Sequence, residues 1–262
     1  MADNLLLEAK SVTIRFGGLT AVSNFNLSIR GHELVGLIGP NGAGKTTIFN
    51  MLTGVYQPTE GEIRIGGEPT TEMKPYQITA RGVARTFQNI RLFKELTVLD
   101  NVKIGGHIHY QYSALAAVLR TNRFYEAEQR AESEALGLLE IFGLRSRANA
   151  LAKNLPYGDQ RRLEIARALG ARPQLLLLDE PAAGLNTGET LALMDKIHEI
   201  RDKFQVAVLL IEHNMELVMG ICERIVVLSF GKTIAEGRPE QIRTNPTVIE
   251  AYLGEPAEAA GL

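Results

Sequence analysis

Tryptophan is missing from this chain, and cysteine occurs once, as Cys222. A lone thiol cannot close an intramolecular disulfide, so the fold must rest on burial and hydrogen bonding, and the chain fits a reducing compartment. No charge of one sign dominates. The 28 Lys and Arg stand against 30 Asp and Glu, a net charge of -2. The basic excess of a dedicated nucleic-acid binder is therefore lacking, and no nucleic acid is expected as a partner. No apolar run approaches the ~20 residues that a membrane-spanning helix needs. The opening Met-Ala-Asp-Asn-Leu-Leu-Leu-Glu lacks the basic flank and apolar stretch of a secretory signal. These absences predict a chain that is neither secreted nor membrane-spanning, yet able to dock on a membrane protein.

What is there is an ordinary globular composition of 262 residues, 45% hydrophobic and 22% charged. That suffices to bury a sizeable core in one large domain or two small ones. Residues 5–16 and 21–29 carry β-branched residues in partial alternation and are joined through Gly17-Gly18, which reads as two strands and a turn. A short apolar strand is expected over 33–38 and a helix over about 44–52, with Gly54 closing it. A turn from Pro58 to Gly61 leads into a strand at 62–65, and 83–87 reads as another strand. From about 99 to 144 no strand is convincing. There Phe124, Ala127, Ala131, Ala135, Leu138 and Phe142 recur at helical spacing, an amphipathic helix ending at Gly143. The last third alternates: helix 160–170, strand 175–178, helix 190–203, strand 206–211, a helix from Met215 and a strand 225–229. Such alternation implies a mostly parallel, doubly wound α/β sheet. The helical middle is then an inserted subdomain, and 254–262 reads as a frayed tail.

Two motifs carry chemistry. Gly39-Pro40-Asn41-Gly42-Ala43-Gly44-Lys45-Thr46-Thr47 fits G-x-x-x-x-G-K-[ST]. Main-chain N–H groups of such a loop wrap a phosphate, and the next helix adds its positive dipole end. Lys45 would reach the β- and γ-phosphates, and the Thr46 hydroxyl would ligate Mg²⁺. A chance glycine turn before a lysine is the bland alternative; a strand before the loop and a helix after it argue against it. The second motif is the run of leucines ending in Asp179-Glu180, two carboxylates at the C-terminal end of a buried strand, where open α/β sheets bind ligands. Asp179 suits a Mg²⁺ shell and Glu180 suits polarising an attacking water. A solvated acidic turn is the alternative, which the phosphate loop upstream disfavours.

Taken in order, the residues resemble the ATP-binding cassette ATPases of membrane transporters, over almost the whole chain from Leu5 to about Gly254. Phe16 stands where that family places an aromatic on adenine. Gln88 matches the glutamine that links the nucleotide site to the transmembrane partner. Leu155-Pro156-Tyr157-Gly158-Asp159-Gln160 sits where the signature loop and its helix belong. Gly184-Leu185-Asn186 resembles the loop that crosses the dimer interface, and His213 matches the switch histidine. Alone, Phe16 reads as core, Gln88 as surface and His213 as a turn cap; their order around the two phosphate motifs carries the resemblance. The runs from Asn89 to Val102, from Pro181 to Asn186 and from Ile211 to Met215, with the ending Val248 to Gly254, are similar to the branched-chain amino acid importers of LivG type.

The resemblance implies a single cassette domain over 1–262 of the P-loop NTPase class. It has a RecA-like parallel-sheet core, an N-terminal antiparallel β subdomain, a helical subdomain over about 89–165 and a C-terminal extension over about 232–262. It implies ATP and Mg²⁺ as cofactors. Phe16, Gly39, Asn41, Gly42, Gly44, Lys45, Thr46 and Thr47 would hold the nucleotide, and Thr46, Gln88 and Asp179 the metal. Glu180, His213, Gln88 and Lys45 would carry hydrolysis. Leu155, Tyr157, Gly158 and Asp159 would act on the site of a second cassette. The partners implied are a second ATPase subunit (or a homodimer in isolation), two transmembrane permeases and, indirectly, a substrate-binding protein, at the cytoplasmic face of the membrane. Urea, amide or lipopolysaccharide transport would use the same ATPase. A soluble, non-transport cassette protein is the remote alternative, since those usually carry two cassettes or a long coiled-coil insertion.

One departure stands out. The family signature is L-S-G-G-Q, commonly L-S-Y-G-Q in this branch, but Pro156 replaces the serine and Asp159 the glutamine. Proline supplies no donor to a γ-phosphate, and Asp159 is expected to add negative charge near an anion. The site built with this loop is therefore expected to be impaired.

Overall fold

The computed structural model describes residues 5–110 and 114–253; the expected frayed tail at 254–262 lies outside them. In chain order, β1 (Leu5–Phe16), β2 (Leu19–Arg30) and β3 (Leu34–Ile38) precede α1 (Lys45–Leu52). Next come β4 (Glu60–Ile65), β5 (Glu68–Pro69), α2 (Pro75–Ala80) and β6 (Val83–Arg85). Helices α3 (Val98–Gly106), α4 (Ala114–Val118), α5 (Asn122–Ile141) and α6 (Tyr157–Gly170) follow. The chain then alternates through β7 (Leu175–Asp179), α7 (Thr187–Phe204), β8 (Ala207–Ile211), α8 (Met215–Ile221) and β9 (Arg224–Ser229). It closes with β10 (Lys232–Gly237), α9 (Pro239–Arg243) and α10 (Pro246–Leu253). Two compact units result, one of Met1–Arg85 with Gln174–Leu262 and one of Thr86–Pro173.

The first unit holds two sheets. The smaller is antiparallel, in the order β2-β1-β4-β5; the larger runs β10-β9-β3-β8-β7-β6. Strands β6, β7, β8, β3 and β9 are parallel, and β10 turns back antiparallel on β9. Every residue of β3, β7 and β8 is buried, which explains why these strands read as continuous apolar runs rather than alternating ones. Ile48, Phe49 and Leu52 of α1 join Leu7, Phe25 and Ile29 of the small sheet and Leu177, Leu209 and Val226 of the large one in a single buried cluster. The helix that follows the phosphate loop is thus gripped from both sheets. The expected strand at 83–87 ends at Arg85: among the described residues β6 is the edge strand, paired with β7 alone.

The second unit is helical, and among the described residues between 99 and 144 no strand occurs. Thr97 caps α3 by accepting from the Asp100 N–H, and Thr121 caps α5 by accepting from the Phe124 N–H. Along α5 the buried stripe is Ala131, Ala135 and Leu139, continuing to Phe142; Leu138, expected in that stripe, is only half-buried. With two adjacent leucines, spacing alone could not choose between 138 and 139, and the 3.6-residue repeat from Ala135 favours 139. No helix among the described residues is long and apolar enough to cross a membrane.

Candidate functional site

Parallel register gathers the chemistry at one edge of the large sheet. Leu37 of β3 and Asp179 of β7 both pair with Ile211 of β8. The strands share a direction, so the turn at Gly39, the carboxylates at 179–180 and the turn at 212–214 emerge side by side.

The loop from Gly39 to Lys45 is fixed by its neighbours. A Cβ on Gly39 would stand 2.1 Å from the Leu228 carbonyl oxygen, and one on Gly44, at φ 104, would stand 3.0 Å from the Ala21 oxygen. Only glycine lets the main chain pass so close to β9 and β2. Ala43 N–H donates to the Pro40 oxygen at 3.1 Å, Gly231 N–H to the Ala43 oxygen at 2.9 Å and Ser23 N–H to the Gly231 oxygen at 2.8 Å. Lys45 is buried, and its Nζ donates to the Gly39 oxygen at 2.5 Å and the Pro40 oxygen at 3.0 Å, which sets the ammonium inside the loop. Asn41, Gly42 and Thr46 are exposed and Thr47 is half-buried. The first turn of α1 carries no acidic residue. An enclosed ammonium beneath an open main-chain loop at a helix N-terminus fits a phosphate group.

Asp179 is buried, and its Oδ2 accepts from Arg85 Nη2 at 2.6 Å; Arg85 Nη1 donates to Asn50 Oδ1 at 2.7 Å. One guanidinium thereby ties β6, α1 and β7 together behind the loop. Among the described residues no group of three or more His, Cys, Asp or Glu could hold a metal by itself. The donor set, one carboxylate and a threonine hydroxyl, fits Mg²⁺, which is usually held by one or two protein ligands together with substrate phosphates.

Glu180 adopts a left-handed backbone, φ 47, a conformation that non-glycine residues seldom take outside special sites. Its N–H donates to the Ile211 oxygen at 2.9 Å, and its Oε1 lies 2.8 Å from His213 Nε2. Two residues expected to act together are thus brought into hydrogen-bond contact. Between Ile211 and His213 stands Glu212, which the motif reading passed over. It is buried, and burial pushes its carboxyl up while main-chain N–H groups of Ala182, Asn214 and His213 pull it down and the charge of Glu180 pushes it up again. A charge at the end of an all-apolar strand was the available signal, the same one that marks Asp179. In the loop after β7, Asn186 is the N-cap of α7, in a reciprocal capping box with Glu189. That box extends the helix three residues ahead of the expected start at Thr190.

Phe16 ends β1 opposite Leu19 and is 44% exposed, which excludes the core reading of its ring. Tyr56 packs edge-on against it, with centroids 5.2 Å apart at 71°.

Gln88 and the signature residues belong to the second unit. Arg161 of α6 donates through Nη1 to the Phe87 oxygen at 2.9 Å, and through Nη2 to the Gln88 oxygen at 2.5 Å and to Tyr157 Oη at 2.9 Å. Buried Glu164 accepts from Arg91 N–H at 3.0 Å. This helix therefore holds the glutamine segment by its main chain. Helix α6 begins at Tyr157, with Pro156 as an N-cap that offers no side-chain bond, so Gly158 lies inside the first turn rather than ahead of it. The fixed φ of proline, here -54, suits a helix start. Leu155 is buried, while Pro156 and Tyr157 are exposed. Asp159 departs from expectation. It is 7% exposed and turned inward, paired with Arg147 Nη1 at 2.5 Å and with Arg162. Two guanidinium groups neutralise it, so its charge is not presented outward.

The family model for ABC transporters matches residues 22–183, and one for branched-chain amino acid ATP-binding cassette transporters matches 232–258. The chain is similar to the high-affinity branched-chain amino acid transport ATP-binding protein BraF of Pseudomonas aeruginosa, 51% identical over 95% of this chain and 98% of that protein. It is similar to the corresponding LivG protein of Escherichia coli K12, 50% identical over the same shares. Among solved structures it resembles the dimeric post-hydrolysis state of the ATP-binding cassette MJ0796 bound to ADP and Pi. The TM-score is 0.75 at 27% identity, covering 89% of this chain and 99% of that one.

Proposed function

This chain belongs to the ATP-binding cassette transporter family, and on that premise we propose that it is the ATP-hydrolysing subunit of an importer for branched-chain amino acids. The observation that carries the reading is the 2.8 Å contact between Glu180 and His213 at the strand ends, beside the loop that encloses Lys45. In this reading the main chain from Gly39 to Gly44 and the Lys45 ammonium bind the phosphates, and exposed Phe16 offers a ring face to adenine. Thr46 and Asp179 would hold Mg²⁺, which when bound neutralises phosphate charge. Glu180 accepts the proton of the attacking water, and His213 orients Glu180 and donates toward the γ-phosphate. Positioning and charge stabilisation supply most of the rate, as in phosphoryl transfer generally.

The cargo rests on the match over 232–258 and on the names of the relatives, since a motor subunit does not touch what is carried. Partnership with a second cassette is supported by the dimeric relative and by the motif logic. The signature loop is exposed at Pro156 and Tyr157, available to a second cassette. Two permeases and a binding protein complete the assembly, and the chain then sits on the cytoplasmic face of the membrane. The test is uptake in cells deprived of this gene. The chain should restore uptake of labelled leucine and its Glu180→Gln variant should not. Full uptake with Glu180→Gln, or restored urea uptake in place of leucine, would contradict the proposal.

A further inference from the structure

Glu212 plays no part in the reading above, and its surroundings are specific. At 3% exposure it is almost out of water. Its Oε1 accepts the Ala182 N–H at 2.7 Å; its Oε2 accepts the His213 N–H at 3.1 Å and, at longer reach, the Asn214 N–H at 3.4 Å. Burying a carboxylate is costly unless hydrogen bonds hold it, and here main-chain donors do so. The two oxygens serve different loops. One holds the turn that follows Asp179 and Glu180; the other holds the turn that carries His213. Within the first turn, Ala183 N–H donates to the Glu180 oxygen at 3.1 Å and Leu185 N–H to the Ala182 oxygen at 3.0 Å. A pull on Ala182 is therefore felt at Glu180. Asn214 in turn caps α8 through the Leu217 N–H at 3.0 Å, which fixes the far side of the second turn.

We infer that Glu212 is a positioning residue for ATP hydrolysis, a carboxylate clamp that locks the loop after Glu180 to the turn bearing His213 and so sets their contact. The inference rests on the roles proposed for Glu180 and His213. A carboxylate suits the task because both of its oxygens accept. A glutamine would turn an NH₂ group toward one of the N–H donors, so one side of the clamp would open while the volume stayed the same.

The experiment is a cycle of Glu212→Gln, His213→Ala and the double variant in the full chain, read as kcat, KM for ATP and melting temperature. Glu212→Gln should lower kcat about 10- to 100-fold, the cost of one hydrogen bond to a charged group. KM should stay within about threefold, since the phosphate loop is untouched. Added to His213→Ala, it should cost less than about threefold more, because the group it positions is already gone. An unchanged kcat, a loss shared between kcat and KM, or fully multiplicative losses in the double variant would overturn the clamp. Wild-type turnover in His213→Ala alone would instead strike the role of His213, and the clamp with it. Should Glu212→Gln not fold, Glu212→Asp keeps the charge, shortens the reach by one methylene and goes through the same cycle under the same criteria.

Discussion

The loop that encloses Lys45 and the signature loop around Pro156 answer to the same family pattern, and they meet it differently. In the first unit the phosphate loop, Asp179, Glu180 and His213 are all present, and main chain does much of the holding. Gly39 and Gly44 pass against carbonyl groups of β9 and β2, and Glu180 is anchored through its own N–H. In the second unit the helix and its glycine survive, but the donor at the N-cap is gone and the acidic replacement is absorbed by Arg147 and Arg162. On the proposed reading, a subunit would keep its own phosphate loop intact while lending its neighbour an incomplete signature. In an assembly with a second cassette, the two ATP sites would then be unequal.

The largest effect that separates the two regions should come from Lys45. Lys45→Ala removes the ammonium from the phosphate loop, and ATP affinity should fall about 10- to 100-fold or more, measured by nucleotide titration. No comparable loss of binding should follow any change at Pro156. Next comes Pro156→Ser, which restores a hydroxyl to the signature loop. Turnover at the partner's site should rise by up to about 10-fold, with no change at this chain's own site. A rise at both sites would erase the distinction. Phe16→Ala should weaken ATP binding by about 1–3 kcal/mol, the worth of a base stacked on an aromatic ring, while Phe16→Tyr should not. Unchanged affinity in a folded Phe16→Ala protein would remove the ring from the site.

The smallest effect is assigned to Asp159→Asn. Arg147 and Arg162 are each 48% exposed and can return to water, so stability should drop by only about 1 kcal/mol, read as a shift in melting temperature. Turnover should barely change, because the charge is already compensated within the unit. A clear gain in turnover would show that Asp159 does face the anion.

How much of this was legible in the sequence follows the same divide. Strands buried on both faces announce themselves as apolar runs, so β3, β7 and β8 were found within a residue or two. Their parallel order followed from alternation with helices. The phosphate loop was legible because its glycines answer backbone demands: crowding against carbonyl groups at Gly39 and Gly44, and a left-handed φ of 77 at Gly42. What was missed depends on side chains meeting across long sequence separations. Asp159 meets Arg147, Arg85 meets Asp179 and the Arg161 side chain meets the Gln88 main-chain oxygen, and no local pattern encodes such pairs. The strand β10 escaped because its residues are half-buried or exposed and carry little apolar signal. Glu212 lies inside the run from Ile211 to Met215, where only His213 had been given a role.

If the two sites are unequal, this chain's Glu180 site carries the turnover and the site served by Pro156 carries little. The most direct measurement is steady-state ATP hydrolysis by the assembled pair of cassettes. Glu180→Gln is made in this chain, and the equivalent change is made in the partner cassette, one at a time. Glu180→Gln here should then lower turnover by more than about 10-fold, while the change in the partner should leave most of it. Equal losses from both changes, or a larger loss from the partner's, would contradict that inequality.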